Sequence, residues 1–425
     1  MTREEITQIL KDEVIVAMGC TEPAAAALAG AAAGQLLGEK CIRAKAIVSR
    51  DIAKNAMGVS IPHSDKMGVQ AAVALGLVIA NTKQGLALLN SLTDEMRAEA
   101  SILPVEMEIV SDVPSLYIRV EAESDQHKSV AVVANTHTSF AHLEKDGLVI
   151  AQTEVSSDDC SSTVSDKLKN LTLGQILGYA NDVPPEIRTL LLKAKDTNLA
   201  ISYASLEGNW GLQVGKTMFG EIGVIKSVDD AFRKGAALAA GGSDARMGGS
   251  VREVMINSGS GNQGITVTVP VAVLAQYLSV SEEKLVSALC ISELVGLVLT
   301  SHKDRLSALC GAFTAAIGTA CAYVYLLGGD LEKMDKAVIN MVGNLSGIIC
   351  DGAKNTCPLK IYSSVTAAGL AAHLALKDLA PNQSSGICGS DSFSSIFFLS
   401  RLSREGMAAT DKTIINIMLD KGNNK

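Results

Sequence analysis

Three thiols define the chemistry this chain could perform. Cys350 and Cys357 stand seven positions apart in Cys350-Asp-Gly-Ala-Lys-Asn-Thr-Cys357-Pro358, and Cys310 closes Arg305-Leu-Ser-Ala-Leu-Cys310, forty positions upstream. Thiolate is a soft ligand suited to iron–sulfur clusters and zinc, and a ligating Cys followed by Pro also ends ferredoxin-type runs. Three thiolates without a fourth would leave one metal position open to substrate. Free Cys is also among the most buried residue types, so the same residues read equally well as apolar core thiols. Their spacing matches no standard zinc or ferredoxin pattern. A further thiol, Cys20, precedes Thr21-Glu22-Pro23. Pro is tolerated in a first helical turn, which places Cys20 just before a helix N-terminus, where unpaired N–H groups and the dipole favour thiolate. An inert thiol at a helix corner is the alternative.

Two polar loops could hold a small anion through backbone N–H groups and side-chain donors. One is Lys54-Asn55-Ala56-Met57-Gly58; the other is Ser258-Gly-Ser260-Gly-Asn262-Gln-Gly264. Each reads equally as an ordinary turn. The second loop formally matches GxGxxG, but the acids at the required distance, Glu282 and Glu283, sit at a helix start rather than a strand end, which counts against dinucleotide binding. That loop and Ser301-His-Lys303-Asp-Arg305 also look like the asparagine loop and lysine motif of pyridoxal-phosphate eliminases. Their order along the chain is reversed here, leaving pyridoxal chemistry a runner-up. Of His127, His137 and His142, His137 alone lies in a polar cluster that looks like a site, though a strand-end surface residue is the favoured reading. Gly241–Gly249 reads as a Gly-rich loop, and Cys160 as an exposed loop residue. Cys41, Cys290 and Cys321 are expected to be inert; Cys388, in a Gly/Ser loop, could supply a fourth ligand.

The elements that must position these groups are mostly helices. Thr2 and Glu5 form a capping box before an apolar stripe, and the chain should break near Gly19 and restart at Pro23. Ala44–Val48 reads as a strand. From Pro104 to Val155 the pattern has period two, indicating a small antiparallel sheet; beyond Ser165 helices dominate. Apolar residues make up 48% and aromatics 4%, so Ala, Leu, Val, Ile and Gly must build the core. A net charge of −8 without a basic run argues against nucleic-acid binding. Mean hydropathy is positive, yet the apolar stretches are short or studded with Gly, Ser and Thr, so they read as buried helices and not membrane spans. Nine cysteines after a start that lacks a secretory pattern fit a reducing cytoplasm.

Gly19-Cys20-Thr21-Glu22-Pro23, Asn55-Ala56-Met57-Gly58, Ser258–Gly264 and Cys350-Asp-Gly-Ala-Lys354…Cys357, in this order, resemble the L-cysteine desulfidase family. That family is related to the α part of iron–sulfur L-serine dehydratases. The resemblance implies an oxygen-sensitive [4Fe–4S] cluster on Cys310, Cys350 and Cys357, with Cys20 as the base that removes the α-proton. L-cysteine would give pyruvate, ammonia and sulfide without pyridoxal phosphate; an L-serine dehydratase with the same cluster or a non-catalytic metal- or small-molecule-binding protein are the alternatives. Asn55, Met57, Gly58, Ser258, Ser260, Asn262 and Lys354 are the candidates for holding the amino-acid substrate. The expected fold is α+β, with residues 1–62 as N-terminal helices packing on the catalytic domain, 63–165 as a small α/β domain and 166–425 as the helical cluster-bearing domain. The expected partner is a small amino acid, with a homodimer possible.

Overall fold

Thr2 and Glu5 cap one another across a first turn, each side chain bonding the other's backbone N–H, and so start α1 (Arg3–Glu13). The computed structural model describes residues 1–64, 66–155, 167–303 and 307–423, so Cys160 and Arg305 lie outside the described residues. After α1 come β1 (Val16–Met18), α2 (Thr21–Leu37), β2 (Arg43–Ser49), α3 (Arg50–Ala56), α4 (Val69–Ile79) and α5 (Asp94–Ile102). Strands β3 (Val105–Val110), β4 (Tyr117–Glu123), β5 (Lys128–Ala134), β6 (Phe140–Lys145) and β7 (Leu148–Gln152) follow.

Six strands form one sheet in the order β3-β2-β4-β5-β6-β7. The sheet is mixed, where the period-two pattern alone indicated an antiparallel one. β2 runs parallel to β3, with Ala44 opposite Val105, while the remaining pairs are antiparallel. The cause is the crossover: α3, α4 and α5 return the chain to its starting edge, so β3 re-enters in the direction of β2. Alternation puts Ile118, Val120 and Ala122 of β4 on the buried face. Helix α2 covers that face across β4, β5 and β6, and α4 packs on α2, β2 and β3. The segment 21–49 thus shares these layers with residues 69–152.

The second region comprises α6 (Leu173–Ala180), α7 (Pro185–Glu207), α8 (Val214–Ile222), α9 (Val228–Met247), β8 (Glu253–Met255), α10 (Gly261–Tyr277), α11 (Glu282–His302), α12 (Gly311–Leu326), α13 (Leu331–Leu345), α14 (Cys357–Leu376), α15 (Ser392–Arg401) and α16 (Ala408–Asn423). Helix α9 is its hub, packing on α7, α8, α10 and α14. The expected loop at Gly241–Gly249 is instead helical through Met247. A Cβ at Gly241 would stand 2.3 Å from the Ser205 hydroxyl, and one at Gly242 2.5 Å from that of Ser202. These glycines serve close helix packing, which overrides their low helix propensity. α11 and α14 are long and apolar enough to cross a membrane, but 94% of the α11 window is buried against other protein elements. Burial of each large aliphatic side chain contributes roughly 1.5–3 kcal/mol, and the core is continuous from α2 through α14. β1 pairs with β8, Val16 opposite Met255, and ties the start of the chain to the helical region.

Candidate active site

Four helices begin at one cavity. Cys20 is the N-cap of α2, Ser260 of α10 and Cys310 of α12, and Cys357 opens α14 with Pro358 in its first turn. These four residues line a single cavity of about 90 Å³, together with Cys350, Asn55, Asn262, Glu22 and Arg246. Backbone N–H groups at helix starts lack intrahelical acceptors, and with the dipole they favour negative charge. The cavity is accordingly suited to anions.

The three thiols singled out by spacing come together there. An isolated bridge, Leu309 opposite Ile349, joins the two segments that carry Cys310 and Cys350. The Cys310 N–H donates to the Ile348 carbonyl at 3.0 Å and the Cys350 N–H to that of Ala308 at 2.6 Å. Cys357 Sγ accepts from the Lys354 N–H at 3.4 Å. Burial pushes the Cys310 thiol up to about 12, and the Cys350 and Cys357 charges act in the same direction. Three thiolates this close repel one another and would ionise together only around a positive group. Among the described residues, no three His, Cys, Asp or Glu side chains are grouped to hold a single metal ion. A polynuclear iron–sulfur cluster distributes its thiolates over different irons and so tolerates wider spacing. The all-sulfur donor set fits such a group.

Cys20 is 3% exposed and its Sγ donates to Glu22 Oε2 at 3.2 Å. Burial, followed by the Glu22 charge, raises this thiol well above its ordinary range, with Arg246 pulling the other way. The expectation that the helix start would favour thiolate is thereby corrected: desolvation and a neighbouring carboxylate outweigh the dipole. Glu22 Oε2 also accepts from Thr21 Oγ1 at 3.1 Å, and Oε1 accepts from Asn55 Nδ2 at 3.2 Å. Burial alone would raise the Glu22 carboxyl, but His137, the Cys20 hydrogen bond and Arg246 together hold it below the usual carboxylate range. His137, expected at the surface, is 6% exposed and reaches Glu22's surroundings from the β5–β6 turn.

Of the residues proposed from the sequence to hold substrate, Asn55, Ser260 and Asn262 line the cavity, whereas Met57, Gly58, Ser258 and Lys354 do not. Ser258 is turned to Asn257, donating to its Oδ1 at 3.0 Å. The Lys354 ammonium donates to the carbonyls of Lys54 at 2.9 Å and Ala353 at 3.1 Å, with Gly58 against its stem. Met57 is half-buried against the main core. Cys290 and Cys321 are core residues, and Cys388, buried beside Gly343, lines no part of this cavity. Lys303 does line it. Sequence reasoning missed Glu22 and Arg246, and favoured the surface for His137, whose polar cluster was a signal. Glu22 carried a signal, an acid beside Cys20 in a first helical turn; Arg246 is brought in only by the fold.

The family model for the serine dehydratase alpha chain matches residues 83–416. A UPF0597 protein of Parabacteroides distasonis is 36% identical over 423 residues, covering 99% of this chain and 98% of its own length. Another, from Aeromonas salmonicida, is 39% identical over 420 residues, covering 98% of this chain and 96% of its own. One from Bacteroides thetaiotaomicron is 37% identical over 99% of this chain and 98% of its own. On the extent of the family match and the near full-length likeness to these relatives, the chain belongs to the serine dehydratase alpha-chain family.

Proposed function

We propose that this protein is an iron–sulfur-dependent lyase of the cytoplasm that eliminates sulfide from L-cysteine, yielding pyruvate, ammonia and hydrogen sulfide. The observation that carries the reading is the convergence of Cys310, Cys350, Cys357 and Cys20 on one cavity ringed by helix N-termini. Cys310, Cys350 and Cys357 would hold a [4Fe–4S] cluster, which when bound supplies a Lewis acid with one open position. Cys20 is the base for the α-proton. In the resting site its thiol donates to Glu22, so that proton must leave before the thiolate can act, and the Arg246 charge favours the thiolate. A positioned base of this kind contributes ~10²–10⁴-fold. Asn55, Ser260 and Asn262 supply hydrogen-bonding groups to the substrate's polar groups. Met57, Gly58, Ser258 and Lys354 support the loops behind them.

L-serine dehydration by the same residues is the second reading, favoured by the description of the matching family. The deciding experiment is anaerobic reconstitution with iron and sulfide, followed by assay of sulfide and pyruvate from L-cysteine and of pyruvate from L-serine. Equal sulfide and pyruvate, dependent on the cluster, is the expected result. Turnover of serine alone moves the assignment to dehydration, and a protein that takes up no iron and turns over neither amino acid refutes both.

A further inference from the structure

Arg246 is the unusual charge of the cavity. It sits in the last turn of α9 and is 2% exposed. Its Nε donates to the Gly19 carbonyl at 2.8 Å, which fixes the guanidinium plane beside the residue that precedes Cys20. Residue 261 is glycine where a Cβ would stand 2.4 Å from that Nε and 2.9 Å from Cζ, so the α10 start is shaped around the guanidinium. Among the described residues no carboxylate oxygen lies within 4.0 Å of an Arg246 nitrogen, and no other hydrogen bond satisfies its terminal N–H groups. Cys20 and Glu22 feel its charge at longer range. A buried guanidinium without an ion pair is costly, and its planar fork matches a carboxylate.

We infer that Arg246 binds the substrate's α-carboxylate, making the cavity selective for small molecules that carry one and presenting their α-carbon to Cys20. This rests on the elimination reading only for the class of substrate. Lys354, the cation nominated by the sequence, does not line the cavity, and its ammonium is tied to the carbonyls of Lys54 and Ala353. Arg246 bonds Gly19, next to the proposed base, so anchoring the carboxylate there would fix the reacting carbon relative to Cys20.

The test compares analogues with and without the carboxylate on the cluster-loaded full chain. L-serine against ethanolamine is measured by calorimetric titration, and L-cysteine against cysteamine by turnover. Wild-type protein should bind L-serine and ignore ethanolamine. Arg246→Lys keeps the charge but loses the fork, and should raise the L-serine dissociation constant and the L-cysteine KM by roughly 10²–10³-fold. In that variant the cluster spectrum should be kept and kcat should change far less. Unchanged affinity in Arg246→Lys, or wild-type protein that binds ethanolamine as well as serine, overturns the assignment. Should Arg246→Lys fail to fold, the wild-type comparison still decides. Protein that binds L-serine through Arg246 yet turns over no amino acid would refute the lyase reading and leave the carboxylate site standing.

Discussion

The two regions of the molecule contribute different chemistry to the same cavity. The layered region, sheet with α2, α3 and α4, delivers Cys20 and Glu22 from a helix start, Asn55 from α3 directly after β2, and His137 from a strand turn. The helical region delivers the three thiols, Ser260, Asn262 and Arg246. On the proposed reading, proton-handling groups come from one side of a seam, and soft ligands with the cations Arg246 and Lys303 from the other. Neither side alone makes an active site. The seam joins two regions of different packing that each hold their own groups, with β1–β8 pairing and the Arg246–Gly19 hydrogen bond linking them.

Substitutions on the two sides should separate cleanly, and this is the largest expected effect. Cys350→Ala should abolish both the cluster absorbance and turnover. Cys20→Ala should leave the spectrum intact while turnover drops by ~10²–10⁴-fold. Full activity in Cys20→Ala would show that Cys20 is not the base.

The seam also has a structural lock. Lys54 of α3 has no side-chain exposure and is held by Asp51 and, from the C-terminal helix α16, by Asp411. Its carbonyl receives Lys354, next to the loop that bears Cys350 and Cys357. Lys54→Met would leave two carboxylates facing a site that has lost its cation, at a cost of about 3–5 kcal/mol. Thermal unfolding measures this. Asp411→Asn, which keeps one acid partner for Lys54, should cost less, and an equal loss from the two would argue against a shared lysine.

Much of this arrangement can be read from the chain, and the failures share a cause. The capping box at Thr2 and Glu5, the strand at Ala44–Val48, a helix start beside Pro23 (at Thr21) and the meeting of Cys310, Cys350 and Cys357 depend on local patterns or on a motif set, and all are present. The parallel β2–β3 pairing, the helical run through Gly241 and Gly242, and the roles of Arg246 and His137 depend on partners far away in sequence. Local pattern holds no trace of Ser202 and Ser205 sitting over the glycines. The raised Cys20 thiol likewise follows from burial and from Glu22, against the direction in which its helix start points.

Within the helical region, Glu293 gives a pH test of intermediate size. It is fully buried, and its Oε2 accepts from Asn257 Nδ2 at 2.6 Å behind the Ser258–Gly264 turn. Burial lifts its carboxyl to about 8. A raised acid keeps its proton in the folded state after the unfolded chain has lost it. Stability must therefore fall as pH rises from the ordinary 4.5 toward about 8. Wild-type Tm should decline across that window relative to Glu293→Gln, which has no such proton to lose. Parallel Tm–pH curves would show that this carboxyl is not held neutral.

The smallest effect contrasts two glycines, one from each region. Gly76 of α4 crosses α2 so closely that a Cβ would stand 1.9 Å from the Ala27 carbonyl, whereas Gly178, exposed in α6, has nothing within 4 Å of that position. Gly76→Ala must push α4 off the helix that carries Cys20 and should destabilise by roughly 1–3 kcal/mol. Gly178→Ala gains helix propensity and restricts the unfolded chain, adding about 0.5–1 kcal/mol. Both are read by denaturant midpoint. The two effects separate backbone contact from intrinsic preference: a stabilised Gly76→Ala would mean that the α2–α4 crossing is looser than its geometry requires, and α2 would then be a poor platform for positioning Cys20.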